Sequence, residues 1–292
     1  MTEVQRPGTI GLTLSGRSRV AGVMGWPVAH SRSPRLHGYW LRIYGIDGAY
    51  VPLPVQPVHF AAALRALPML GFAGVNVTVP HKEAALGVVD RSDPTARRIG
   101  AVNTVVVAPD GTLDGRNSDG FGFIENLRAG VPNWSAAAGP AVLLGAGGAA
   151  RAIAVALLDA GAPEIRMVNR TIERAERLSK DIGGPLRIHD WADRTGALVD
   201  AALLVNTTTL GMSGQPPLVL ALDRLPTGAV VNDIVYSPLQ TELLAAAKAR
   251  GNAVVDGLGM LLHQARPGFA AWFGVEPAVT PELRRFVLEA PG

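Results

Sequence analysis

The stretch Ala141-Val142-Leu143-Leu144-Gly145-Ala146-Gly147-Gly148-Ala149-Ala150 decides the architecture. Four apolar residues read as a strand buried on both faces, the glycines as a tight turn, and the small residues after them as the opening of a helix. That helix is expected over 151–160, closed by Gly161, and a second apolar strand over 165–168 completes a βαβ unit. Gly145, Gly147 and Ala150 fit the pattern G-x-G-x-x-A. The first glycine permits the turn and the second lets the backbone approach a pyrophosphate. The alanine allows close helix–sheet packing, with the amides of the helix N-terminus toward the anion. A glycine-rich turn that holds no ligand is the alternative reading.

Downstream, the same alternation continues with short Val-, Leu- and Ile-rich strands at 202–205, 229–234 and 253–255 and a helix at 241–250. Right-handed crossovers then leave few arrangements other than a doubly wound parallel sheet over 121–256. Upstream, the pattern is looser: strands at 20–24, 49–53 and 74–78, and helices at 34–44 and 57–67. The fold class is therefore α/β in two domains, the second of them Rossmann-type and the first a separate α/β layer over 1–120. After Asp256, Leu258, Leu261, Leu262, Ala265, Phe269, Trp272 and Phe273 keep helical spacing, and Pro267-Gly268 is expected to kink or split that helix. No internal repeat is present.

Composition narrows the function classes. The 292 residues are 48% hydrophobic and 17% charged, which suffices for a folded core. The absence of cysteine excludes disulfide frameworks, Fe–S clusters, thiolate zinc sites and thiol nucleophiles. A net charge of +3 is thin over this length, and no stretch clusters Lys and Arg into a nucleic-acid footprint. The uncharged stretches 129–150 and 201–222 are interrupted by Gly, Pro, Asn, Ser and Thr, so neither reads as a membrane span. The N-terminus lacks a continuous apolar segment followed by a cleavage site, and a cytoplasmic protein is expected.

The end of the second strand of the βαβ unit bears on which dinucleotide binds. An NAD site usually places Asp or Glu there for the ribose 2′-hydroxyl, whereas this chain has Asn169-Arg170-Thr171, with Arg174 one turn later. Arg170 and Arg174, four apart at a helix start, are expected to share a face and clamp a 2′-phosphate, with Asn169 and Thr171 adding neutral hydrogen bonds. This favours NADP(H). The alternative is a solvated helix face, since Glu173, Glu176 and Arg177 stand nearby.

The first domain carries polar clusters that composition does not explain. Gly25-Trp26-Pro27-Val28-Ala29-His30-Ser31-Arg32-Ser33-Pro34 offers Ser31 and Ser33 just where Pro34 suits a helix start. An N-cap role accounts for Ser33 but not for Ser31 or His30. In Asn76-Val77-Thr78-Val79-Pro80-His81-Lys82 the polar residues alternate with valines and emerge on one strand face, with Lys82 just past the strand end, where ligands of open α/β sheets gather. Asn103 and Asp119 lie in glycine-containing turns, Gly100-Ala101-Val102-Asn103-Thr104 and Asn117-Ser118-Asp119-Gly120. Asx turns explain each of these singly.

Together these segments resemble the shikimate dehydrogenase family. Its substrate motif, approximately G-x-P-x-x-H-S-x-S-P, stands at 25–34; its N-V-T-x-P-x-K at 76–82; its G-A-V-N-T at 100–104; its N-T-D at 117–119, with Ser118 for Thr. The G-A-G-G-A-x-R-A turn stands at 145–152 and the N-R-T clamp at 169–171. The resemblance resumes at 206–212, at 233–238 with Thr241, and at 256–261 with Gln264. It spans roughly residues 20–275. One departure is Gly38 after His37, where the family commonly has Asn.

The resemblance implies an NADPH-dependent reduction of 3-dehydroshikimate to shikimate, in aromatic amino-acid biosynthesis, in a cleft between two domains. It implies a substrate domain of 1–120 to which 257–292 returns, and an NADP domain of 121–256. Lys82 and Asp119 would form the catalytic pair. Ser31, Ser33, Asn76, Thr78, Asn103, Tyr236 and Gln264 would join them in holding the substrate. Gly145, Ala146, Gly147, Gly148, Ala149, Asn169, Arg170, Thr171, Arg174, Thr207, Met212, Ile234 and Gly257 would hold NADP(H), Gly257 near the nicotinamide. No metal is implied, and the partners expected are a small-molecule substrate, with no nucleic acid or membrane, for a monomer or homodimer. The chemistry agrees: hydride delivery to a ketone builds charge on oxygen that an ammonium stabilises and protonates, and a carboxylate orients the ammonium. Two other readings are a broader quinate/shikimate dehydrogenase and a non-catalytic NADP-binding module.

Overall fold

A computed structural model describes residues 14–289. In chain order the elements are β1 (Arg19–Gly25), α1 (Ser33–Ile43), β2 (Gly48–Pro54), α2 (Phe60–Ala66), β3 (Phe72–Val77), α3 (Lys82–Val88), β4 (Arg91–Ser92), α4 (Pro94–Ile99), β5 (Thr104–Val107), β6 (Leu113–Arg116) and α5 (Asp119–Gly130). They continue with β7 (Ala141–Leu144), α6 (Gly148–Asp159), β8 (Ile165–Asn169), α7 (Ile172–Ile182), β9 (Leu186–Asp190), β10 (Leu203–Asn206), β11 (Val230–Asp233), α8 (Glu242–Ala249), β12 (Ala253–Val255), α9 (Leu258–Phe273) and α10 (Pro281–Leu288). The chain divides into two compact units. One is Met1–Ser92, Val102–Gly115 and Arg266–Gly292, and the other is Asp93–Ala101 and Arg116–Ala265.

The second unit holds a six-stranded sheet in the order β12-β11-β10-β7-β8-β9, every neighbouring pair parallel. This is the doubly wound order, and it arises because each strand must bury both faces. The period of two is directly visible: Ala141 and Leu143 enter one hydrophobic core with Ile165, Met167, Leu203 and Val205. Val142 and Leu144 enter a second core with Val168, Leu204 and Val231. Helices α5, α6 and α7 supply the first core through residues such as Phe123, Ile153 and Leu178. The second is closed by α8 through Leu243, Leu244 and Ala247, with Leu218, Leu222 and Leu225. Strand order reverses between β7 and β10, so the ligand crevice belongs outside Leu144 and Asn206.

The first unit also has six strands, ordered β2-β1-β3-β5-β6-β4. Strands β2 and β3 flank β1 in parallel, while β5 runs antiparallel to β3. Helix α1 turns Leu36, His37, Trp40 and Leu41 inward. Trp272 from α9 is wholly buried, and its Nε1 donates to the Val105 carbonyl at 3.0 Å, anchoring β5.

Three local expectations differ from the structure. The residue preceding α1 is Arg32, in helical conformation and without a side-chain cap bond, so Ser33 is the first helical residue and not an N-cap. Instead Ser33 N donates to Ser31 Oγ at 3.3 Å. Arg170 lies ahead of α7, whose N-cap is Thr171, because β8 runs on to Asn169; the i, i+4 rule therefore does not place Arg170 and Arg174 on one helix face. Finally, α9 is not split at Pro267. The proline removes one helical donor, yet Leu262 and Ala265 before it and Phe269 and Trp272 after it are all buried, which holds the helix in register.

Candidate active site

The first unit's polar residues are stitched together by backbone hydrogen bonds. Val77 N donates to the Asn103 carbonyl at 2.8 Å, and Val102 N donates to the Lys82 carbonyl at 2.8 Å. The end of β3, the first residue of α3 and residues 102–103 are thus fixed to one another, which brings Asn76, Lys82 and Asn103 into one cluster. Asn76 Nδ2 donates to the Asn103 carbonyl and to Thr104 Oγ1, each at 3.2 Å. Thr104 Oγ1 in turn donates to Asn103 Oδ1 at 2.9 Å. Asn103 is buried, while Asn76, Thr78 and Lys82 are half-buried. Thr78 N donates to the Met24 carbonyl at 2.9 Å, tying this strand end to β1.

Lys82 is held from its preceding residue too. His81 is buried, its Nε2 donates to the Val55 carbonyl at 2.7 Å, and its ring stacks on Phe60 at 4.4 Å.

Sequence reading missed Tyr50. Its hydroxyl donates to Asn76 Oδ1 at 2.6 Å, so a buried phenol holds one of the expected substrate contacts. Burial pushes its pKa well above the ordinary tyrosine value, so the phenol stays protonated. The available signal was a polar-tipped aromatic inside an otherwise aliphatic strand. His37 stacks face to face on the Tyr50 ring at 3.9 Å with Trp40, Phe269 and Trp272 around it, and neither imidazole nitrogen has a partner. Burial lowers its pKa to about 3, keeping it neutral.

In the second unit Asp119 opens α5 and is buried. Its backbone N donates to Asn117 Oδ1 at 3.0 Å, and Asn117 Nδ2 donates to the Ala101 carbonyl at 2.9 Å. Ser118 Oγ donates to the Gln264 carbonyl at 2.9 Å, which sets Gln264 of α9 beside the Asp119 turn. Of the expected catalytic pair, Lys82 belongs to the first unit and Asp119 to the second, as do Tyr236 and Gln264.

The expected cofactor contacts lie beyond the carboxyl ends of β7, β8, β10, β11 and β12. Gly145 has φ +104°, and a Cβ there would stand 2.9 Å from Thr207 Oγ1, so the turn at the switch point requires glycine on two counts. Thr207 Oγ1 donates to the Leu144 carbonyl at 2.6 Å. Gly257 abuts Ile234 so closely that a Cβ would lie 2.2 Å from its carbonyl oxygen. Met212 closes a turn on the Thr209 carbonyl at 3.1 Å, and Asn169 Nδ2 donates to the Thr171 carbonyl at 2.7 Å.

The turn itself has room for an anion. A methyl built at Gly148 meets nothing within 4 Å, and one at Gly147 meets only Arg174 Nη2, at 4.0 Å. Arg170 and Arg174 are both exposed. Open space beside backbone amides with a guanidinium along its edge fits the phosphates of a dinucleotide. Among the described residues no group of three or more His, Cys, Asp or Glu stands in position to hold a metal ion, and no helix is long and apolar enough to cross a membrane.

Two family descriptions match the chain: "Shikimate dehydrogenase substrate binding domain" over residues 23–105 and "Shikimate / quinate 5-dehydrogenase" over residues 132–211. The shikimate dehydrogenase (NADP(+)) of Paramagnetospirillum magneticum is 65% identical over 275 residues, covering 94% of this chain and all of its own. That of Rhodospirillum rubrum is 60% identical over 282 residues, covering 95% of this chain. Among solved structures, shikimate 5-dehydrogenase from Thermus thermophilus in complex with NADP(H) and shikimate has a TM-score of 0.82 at 39% identity, over 92% of this chain and 98% of its own. Quinate dehydrogenase from Corynebacterium glutamicum in complex with NAD has a TM-score of 0.87 at 31% identity, over 94% and 99%. With relatives this similar over nearly its whole length, the chain belongs to the shikimate dehydrogenase family.

Proposed function

We infer that the protein is an NADP-dependent shikimate dehydrogenase that reduces 3-dehydroshikimate to shikimate, reversibly. The observation that carries this reading is the stitched cluster of Asn76, Lys82 and Asn103 in a chain whose second unit presents an open dinucleotide turn edged by Arg174. NADPH, held by the glycine turn and Arg174, would supply a hydride for the ketone carbon. Lys82 then stabilises the charge that grows on the ketone oxygen and gives it a proton, and in the reverse direction takes that proton from the alcohol. Asp119 accepts hydrogen bonds that orient the ammonium and a substrate hydroxyl. Ser31, Ser33, Asn76, Thr78, Asn103, Tyr236 and Gln264 hold the carboxylate and hydroxyls, with Tyr50 fixing the Asn76 side chain.

On the cofactor side, the amides and space of Gly145, Ala146, Gly147, Gly148 and Ala149 take the pyrophosphate. Asn169, Arg170, Thr171 and Arg174 take the 2′-phosphate, and Thr207, Met212, Ile234 and Gly257 border the nicotinamide. Residues 1–120 with 257–292 form the substrate domain in this reading and 121–256 the cofactor domain; the enzyme works in the cytoplasm as a monomer or homodimer.

The likeness to a quinate dehydrogenase that binds NAD favours a second reading, turnover of quinate as well. The absence of a carboxylate at 169–171 speaks for NADP(H). Absorbance of reduced nicotinamide in four mixtures, shikimate or quinate with NADP+ or NAD+, decides. Signal only with shikimate and NADP+ is the expected result. Turnover of quinate or with NAD+ moves the protein to the broader specificity, and silence from protein that binds NADP+ leaves a non-catalytic module.

A further inference from the structure

Asn206, Asp233 and Thr241 have been given no role so far, yet they carry a buried polar network in the second unit. Asn206 and Asp233 are the last residues of β10 and β11, lie opposite each other in the parallel register, and are both wholly buried. Asn206 Nδ2 donates to Asp233 Oδ1 at 3.0 Å and to the Leu210 carbonyl at 3.0 Å. Asn206 Oδ1 accepts from Thr208 N at 3.1 Å and Thr208 Oγ1 at 2.7 Å. Asp233 Oδ1 also accepts from Val235 N at 3.0 Å, and Oδ2 accepts from Thr241 Oγ1 at 2.7 Å. Thr241 is at the same time the N-cap of α8, accepting from Leu244 N at 3.4 Å.

Two loops leave this network, 207–212 after β10 and 234–240 after β11. They carry Thr207 and Met212, and Ile234 and Tyr236. The two segments meet again where Ser213, just past the first loop, donates its backbone N to the carbonyl of Ser237 within the second, at 2.7 Å. A ring of hydrogen bonds therefore closes around the two segments.

A carboxylate at its centre has a specific effect. Ionised, it only accepts, so every group aimed at it must be a donor. That fixes the Asn206 amide with Nδ2 toward Asp233 and Oδ1 toward Thr208, and the orientation passes from one loop to the other. Burying a charge is costly unless it is fully hydrogen-bonded, and three donors meet this one.

We propose that Asp233, through Asn206 and Thr241, is a positioning residue that sets both loops against the nicotinamide half of the cofactor, leaving the 2′-phosphate half to Arg170 and Arg174. This rests on the NADP reading above. The test is calorimetric titration of the full-length protein with two probes, NADP+ and adenosine 2′,5′-bisphosphate, which lacks the nicotinamide. Wild type, Asp233→Ala, Thr241→Val, Thr241→Ser and Asn252→Ala are compared, each with its Tm. Asn252 is another buried amide, whose Nδ2 donates to the Pro226, Thr227 and Ala229 carbonyls, so its variant reports lost stability alone.

Loss of hydrogen bonds to a charged group predicts about tenfold weaker NADP+ binding for Asp233→Ala and about threefold or more for Thr241→Val. Adenosine 2′,5′-bisphosphate should bind all variants equally, Thr241→Ser should bind NADP+ as wild type does, and Asn252→Ala should lower Tm without changing either affinity. Unchanged NADP+ affinity in Thr241→Val, or equal losses for both probes, overturns the proposal. If Asp233→Ala does not fold, the two threonine variants decide between these outcomes. Wild type that binds no NADP+ would instead overturn the cofactor reading itself.

Discussion

The two sheets of this chain have the same number of strands and were built by different rules. In the second unit every neighbouring pair is parallel, and the four inner strands are mostly buried. In the first unit β5 runs antiparallel to β3, β4 has two residues, and the sheet is completed by Trp272, 167 positions away from the Val105 carbonyl that its indole holds. One sheet is specified mainly by strand composition, the other by contacts between distant segments.

The largest effect should therefore come from cutting a distant contact. Trp272→Ala removes the biggest class of buried side chain and orphans the Val105 carbonyl, and should cost about 3–5 kcal/mol. Ile153→Ala, equally buried in the second unit, leaves no orphaned group and should cost less, about 2–4 kcal/mol by urea unfolding. Equal losses would erase the contrast.

Chemistry should divide along the same line. Lys82→Ala, in the first unit, is expected to lower kcat by about a hundredfold while NADP+ affinity stays unchanged. An unchanged kcat removes Lys82 from the reaction.

His37 sharpens the first unit's side through pH. Its imidazole is neutral in the folded state, with its pKa lowered from 6.5 to about 3 by burial, so below pH 6.5 the unfolded chain takes up a proton that the folded chain refuses. Stability falls as pH drops from 6.5 toward 3, by up to about 1.4 kcal/mol per pH unit. His37→Leu should shrink the difference in unfolding free energy between pH 7 and pH 5 by about 2 kcal/mol. If the variant keeps the full wild-type difference, other groups carry the acid sensitivity.

Arg170→Ala, in the second unit, should weaken NADP+ about tenfold and leave NAD+ and the KM for shikimate nearly unchanged, since only NADP+ carries the extra phosphate. Equal losses for both cofactors would refute the clamp. The smallest effect belongs to a helix end. Thr280 Oγ1 accepts from Leu283 N at 3.2 Å, and Thr280→Ala should lower stability by about 1 kcal/mol.

The legibility of the sequence follows this contrast. Strands such as Ala141–Leu144 and Leu203–Asn206 are apolar runs because both faces are covered, and a run of that kind is visible without knowing its partners. The edge strand β9, Leu186–Asp190, has only two apolar residues, too short an alternation to stand out, and β5 and β6 of four residues each gain their pairing from the rest of the sheet. Within the candidate site, glycine turns and polar residues between valines announce themselves through local chemistry. Tyr50 does not, because its role comes from β2 lying in one sheet with β3, a fact of topology. Ser33 reads as a cap because a serine before a proline is locally sufficient for one, while in the structure the helix begins at Ser33 itself and its backbone N donates to Ser31 Oγ.

The division of the chain also bears on how the protein is made. The backbone passes between its two units four times, after residues 92, 101, 115 and 265. On a ribosome the all-parallel unit is complete once Ala265 has emerged. The unit that contains the N-terminus must wait for Trp272, Phe269 and Phe273 to fill its core. Domains commonly mature in the order of synthesis. Here the order is reversed: the unit that supplies the first strands to be translated is completed last, by residues that follow the whole of the other unit.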